Sequence, residues 1–166
     1  MELKIEYLAP YLPFELEFQR KGTGFTMIGI EHNYVKSLES PYDWFDFSEI
    51  KPYMRPYSDL LKEIESQGKK FIPLIELARI STLDKIESFT SSENETSFGI
   101  KYIDSDEENI IFSFSKETNQ FYLHFESNER FFPINHTFEL YRKLYEWHFG
   151  FGLVEAGIAI DVNTVK

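Results

Sequence analysis

The chain contains no cysteine, so it can form no disulfide, present no thiolate nucleophile and build no Cys-type zinc site. That absence suits a reducing interior, and a cytoplasmic location is the expectation. No apolar run approaches the ~20 residues that a membrane-spanning helix needs. The first ten residues interleave charged and apolar side chains (Glu2, Lys4 and Glu6 among Leu3, Ile5 and Leu8), which is not the pattern of a secretory signal. Basic residues are scarce too: 17 Lys and Arg stand against 28 Asp and Glu, a formal charge of −11. A protein of that charge is repelled at long range by nucleic acid and by anionic membranes. Neither is expected as a direct partner, and a protein with a basic nucleic-acid-binding surface is the better electrostatic match.

Motifs that spell out a reaction are missing as well. Gly22-Thr23-Gly24 lacks the Gly-Lys-Ser/Thr ending and the following helix of a phosphate loop, and no Gly-x-Ser-x-Gly elbow occurs. His32, His124, His136 and His148 are scattered, with no His-Glu-x-x-His and no His-x-His. The turn from Asp104 to Asn109 gathers four carboxylates, but the glycine and glutamate that an EF-hand needs at its sixth and twelfth positions are Asn109 and Ser115. Asp43 with Glu49-Ile50-Lys51 faintly resembles the acidic-acidic-lysine set of metal-dependent nucleases, yet the carboxylates stand six residues apart and Pro52 follows at once. No catalytic residue, metal ligand or cofactor is assigned. A metal-dependent enzyme built from scattered carboxylates and histidines stays as the least favoured alternative.

What the chain has in quantity is aromatic surface: 17 Phe and 10 Tyr bring the aromatic share to 17%, far from the composition of a disordered segment. Its 166 residues suffice for a sizeable core and read as a single domain over 1–166. The periodicity predicts an α+β fold, an antiparallel meander with helices packed on one face. Residues 3–8 read as a short helix closed by Pro10 and Pro13. Phe14, Leu16 and Phe18 alternate with polar neighbours, Arg20 to Gly24 read as a hairpin turn, and strands return over 25–31 and 34–38. Ser58 reads as the N-cap of a helix carrying Leu60, Leu61 and Ile64, with Gly68 at its end. A loop and a short helix are expected over 72–80, and a polar surface loop over 90–97.

The strongest fold signal lies beyond. Three alternating strands, on Phe98-Ile100-Tyr102, Ile110-Phe112-Phe114 and Phe121-Leu123-Phe125, are joined by polar turns at 104–109 and 116–119. A broad apolar stripe predicts a helix over 137–149, ended by Gly150 and Gly152, with one further turn and a closing strand over 158–162.

Two features point to adhesion. Residues 41–59 hold six aromatics and three prolines, a rigid segment that is either buried connection or contact surface. Its candidate binding residues are Tyr42, Trp44, Tyr53, Arg55 and Tyr57. Residues 84–117 carry nine acidic residues against three lysines, and the candidates there are Asp104, Asp106, Glu107 and Glu108. Carboxylates two apart on a strand are spaced ~6.6 Å, close to successive phosphates, so such a face suits a nucleic-acid groove in another protein.

Three signatures carry a resemblance. Leu8-Ala9-Pro10-Tyr11-Leu12-Pro13, Lys51-Pro52-Tyr53-Met54-Arg55-Pro56-Tyr57-Ser58-Asp59-Leu60 and the stretch from Gly152 to Asn163 together resemble a family of small proteins carried by phages and prophages of gut and environmental bacteria. The resemblance spans most of the chain and transfers no catalytic residue. It implies a phage setting, in which small acidic proteins are often inhibitors of host defence, anti-CRISPR proteins among them. Some of these bind the basic guide or target channel of an effector. The alternative it leaves open is an accessory of phage DNA replication or recombination.

Overall fold

The computed structural model describes residues 2–82, 85–104, 106–127, 129–134 and 137–165. Asp84 and His136, both weighed above, lie outside them. In chain order, α1 (Ile5–Leu8) runs into a 3-10 segment over Ala9–Phe14, and β1 (Glu17–Arg20), β2 (Thr23–Glu31), β3 (Tyr34–Ser37), β4 (Trp44–Asp46) and β5 (Lys51–Met54) follow. A 3-10 turn over Tyr57–Leu61 precedes β6 (Ile64–Ser66), β7 (Lys69–Phe71) and α2 (Pro73–Thr82). Next come β8 (Phe89–Glu93), β9 (Ser97–Ile103), β10 (Asn109–Ser115), β11 (Gln120–Phe125) and β12 (Arg130–Pro133), then α3 (Phe138–Glu146) and β13 (Ile160–Asp161). The fold is α+β, with its strands dominated by antiparallel pairing. The chain divides into two compact units, Met1–Pro56 with Leu144–Lys166, and Tyr57–Lys143.

The first unit is built on a six-stranded sheet of order β13-β5-β1-β2-β3-β4. All its pairings are antiparallel except that of β13 with β5. The alternation read over 14–18 is realised only from Leu16 onward: Leu16 and Phe18 are buried while Glu17 points outward, but Phe14 closes the 3-10 segment and Glu15 turns the chain at a φ of 54°. Phe18 stacks on Phe25 across the β1–β2 pair at 5.6 Å. Leu8, Tyr11, Met27, Val35, Phe45, Phe47 and Met54 complete a continuous core, and each fully buried apolar side chain contributes roughly 1.5–3 kcal/mol. The Tyr11 hydroxyl enters that core because it donates to the Phe149 carbonyl. Gly150 is required by close approach: a Cβ there would stand 3.1 Å from that of fully buried Met54. The predicted helix over 137–149 is shorter than expected, closing at Glu146, and His148 takes a left-handed φ of 60° before the chain crosses beside Arg55.

The second unit carries a five-stranded antiparallel sheet of order β12-β11-β10-β9-β8. Phe98, Ile100, Phe112, Phe114 and Phe121 are buried on one face, as the meander predicts. Leu74, Leu77 and Ala78 of α2 are buried in the same unit; Pro73 suits its first turn, where a missing N–H costs nothing. Two expectations fail here. Residues 58–68 do not form a helix: Gln67 and Gly68 both take positive φ (52° and 73°), which makes a two-residue hairpin turn between β6 and β7. Gly68 therefore sits in the turn that leads into β7 rather than capping a helix. The first half of the polar stretch expected to be a loop is β8, whose backbone pairs with β9 from Phe89↔Tyr102 to Glu93↔Phe98, and residues 94–96 make the connection between the two strands. Exposed Thr and Ser tolerate an edge position where only one side of the backbone is paired.

Candidate interaction surfaces

Residues 41–59 separate into an exposed stretch over 41–44 and a buried set that includes Phe45, Phe47, Ile50, Pro52, Met54 and Tyr57. On β4, Phe45 is buried and Trp44 is 43% exposed on the outer face, while Tyr42, in the turn before the strand, is 95% exposed. Tyr34 and Lys36 of β3 share that face, because Lys36 pairs with Trp44 and Tyr34 with Asp46. The Lys36 ammonium lies 5.6 Å from the Trp44 ring centroid, within range of a cation–π attraction. Asp46 accepts from both the N–H and the hydroxyl of Ser48, and these bonds hold its carboxyl below the ordinary range. β4 is the last strand of this sheet, so among the described residues one side of its backbone has no neighbouring strand.

Tyr53 and Arg55, expected in the same contact surface, are half-buried and engaged. The Tyr53 hydroxyl accepts from Gln19 Nε2 at 3.0 Å, and the Arg55 backbone bonds His148 and Gly150. Tyr57 is a correction. It is only 9% exposed, its ring packs 5.7 Å from Phe114 and 6.4 Å from Phe98, and its hydroxyl donates to the Asn119 side chain. Its large apolar area is worth more inside the second unit than in water.

The acidic candidates divide by role. Asp104 Oδ1 accepts from the N–H groups of Asp106 and Glu108 at 2.9 and 2.8 Å. It organises the turn from within. Asp106 and Glu107 point into solvent, Glu107 at a φ of 63°, and half-buried Glu108 accepts from the Ser127 hydroxyl. Sequence reasoning missed the neighbour of this turn. In an up-and-down meander alternate turns share one end of the sheet, so residues 126–129 meet 104–109, and the Glu126 N–H donates to the Asn109 carbonyl at 3.1 Å. The two turns hold Asp104, Asp106, Glu107, Glu108, Glu126 and Glu129 and no Lys or Arg. Arg130 follows Glu129 directly in the chain, and Lys101 bonds both Glu126 oxygens at 2.7 Å.

The histidines and the faint nuclease set do not assemble. His124 stacks on Phe131 at 4.7 Å and His32 stands 3.7 Å from Glu31. Glu49 pairs with Arg20 at 2.7 Å, and Lys51 reaches the Gly157 carbonyl at 3.4 Å. Among the described residues no three His, Asp or Glu side chains form a group able to hold a metal ion. None of their helices is long and apolar enough to cross a membrane.

The fold opposes protonation of His148. Burial pushes its pKa down from 6.5, the bond to the Phe14 carbonyl at 2.7 Å opposes that shift, and the Arg55 charge adds to it. The folded chain therefore binds this proton less readily than the unfolded chain does. The stabilisation is complete above about pH 6.5 and is lost as pH falls below it. Urea midpoints measured from pH 7.5 down to 5.5 should decline in the native protein and decline less in His148→Gln. Parallel declines would remove His148 as the cause.

Comparison with known proteins adds no neighbour: no family model, no curated protein and no solved structure matches the chain.

Proposed function

We propose that the protein is a non-enzymatic, acidic binding module that occupies a basic nucleic-acid-binding surface on another protein. The observation that carries this reading is the gathering of six carboxylates in two adjoining turns at one end of the second unit's sheet, where Lys101, paired with Glu126, and Arg130, next to Glu129, leave the end in net negative excess. Like charges gathered at an exposed edge repel one another, and a cationic partner relieves that repulsion. Such a patch raises the encounter rate with a basic surface and competes there with phosphates. The resemblance to phage proteins suggests the setting: the cytoplasm of a bacterial host, with a nuclease-based defence such as a CRISPR effector as the antagonised partner.

Affinity capture tests it. Immobilised protein, exposed to lysates of infected and uninfected bacteria, should retain a nucleic-acid-binding protein identified by mass spectrometry. An added oligonucleotide and raised salt should each release it. A partner that appears only after infection and is phage-encoded would favour a replication accessory over an inhibitor of defence. Retention that neither salt nor oligonucleotide disturbs would overturn the electrostatic reading.

A further inference from the structure

The outer face of the first unit's sheet carries a pocket of about 330 Å³ lined by Glu31, His32, Tyr34 and Trp44. Its parts come from two stretches of the chain, residues 31–34 and Trp44. Glu31 closes β2, His32 sits in the two-residue β2–β3 turn at a φ of 52°, and Tyr34 and Trp44 stand on the outer face of β3 and β4. Glu31 pairs directly with Tyr34 in the sheet register, which sets a carboxylate beside a phenol ring. Two aromatic rings with one carboxylate form a chemistry that selects cations: the rings offer their negative faces, and the carboxylate supplies a full charge. No Lys or Arg lines the pocket. The Trp44 ring already attracts an ammonium of this chain, that of Lys36, from the same sheet face.

We propose that this pocket receives a lysine or arginine side chain from an extended segment of a partner protein, which adds to the free edge of β4. Strand addition supplies main-chain hydrogen bonds, and the pocket supplies side-chain selection. Charge complementarity argues for a basic segment. Residues 41–50, which contain β4 and its flanks, carry Asp43, Asp46 and Glu49 and no Lys or Arg. Tyr42, almost wholly exposed beside the strand, extends the contact. An added strand lies about 4.8 Å from β4, near enough for a long basic side chain to lie over the Trp44 ring, while Glu31, two strands farther on β2, acts on its charge from across the pocket. The proposal shares with the preceding one only the premise that the partner is basic, and it concerns a separate surface.

The test is a titration of the whole protein with a blocked hexapeptide alternating Lys and Thr, followed by amide and indole N–H shifts in two-dimensional NMR. Saturable shifts should concentrate on residues 31–36, on residues 42–46 and on the Trp44 indole. The same peptide with acetylated lysines should bind at least about tenfold more weakly, because its side chains no longer carry the charge that the rings and Glu31 select. Glu31→Gln, a change at an exposed position, should weaken the lysine peptide about three- to tenfold while leaving the spectrum elsewhere unchanged. Equal affinity for the acetylated peptide, no effect of Glu31→Gln, or no saturable shift would each overturn the proposal. Asp106→Lys/Glu107→Lys should leave this titration untouched, so failure here does not touch the acidic turns, and failure of those turns in affinity capture does not touch the pocket.

Discussion

Tyr57→Ala is expected to destabilise the unit formed by residues 57–143 by about 3–5 kcal/mol, the range for removing a buried aromatic. The ring lies against Phe98 and Phe114 with little exposure, so truncation leaves a cavity among side chains that cannot collapse to fill it. Tyr57→Phe keeps the ring and removes only the bond to Asn119, at a cost of about 1 kcal/mol. Urea unfolding followed by circular dichroism separates the two. A small effect of alanine, with binding to a captured partner lost, would return Tyr57 to the contact surface. A large effect of alanine with intact binding by the phenylalanine variant places it in the core.

The second large effect concerns association. Asp106→Lys/Glu107→Lys turns two exposed negative charges into positive ones, a change of four at an end that holds six carboxylates. The on-rate for the captured basic partner should fall on the order of tenfold at low salt, and the dependence on salt should flatten. Asp104 is the wrong position for this test, because its side chain holds the turn's own N–H groups and its replacement disturbs the loop as well as the charge. Surface plasmon resonance at two ionic strengths reads both quantities. An unchanged on-rate would remove the acidic turns from recognition.

Legibility followed the number of constraints acting on each segment. β9, β10 and β11 were readable because each alternates over several residues and turns through a polar loop, so burial, period and connection agree. Ser58 to Gly68 was not. A serine, an apolar cluster and a glycine satisfy a helix cap and a hairpin equally well, and the positive φ at Gln67 decides the matter without leaving a mark in its residue type. β8 was hidden because an edge strand needs no apolar side chains when its neighbour supplies the core. The candidate surfaces divided in the same way. Trp44 and Tyr42 were found from the aromatic run, and the separation of Trp44 from Phe45 follows the strand period. Tyr57 lies in the same run, but its hydrogen-bond partner is 62 residues distant, beyond any local pattern. The joining of 104–109 with 126–129 was deducible from meander connectivity, since alternate turns of such a sheet always share an end.

The parallel seat of Ile160–Asp161 against Tyr53–Met54 has a bearing on biosynthesis. Everything from Tyr57 to Lys143 is one continuous stretch and can collapse as soon as it clears the ribosome. The sheet begun by residues 17–54 has to wait more than a hundred codons for its outermost ribbon and for the Phe149 carbonyl that satisfies Tyr11. During that interval Lys51–Met54 presents an unpaired border, and a nascent chain halted before residue 160 is the species most prone to self-association.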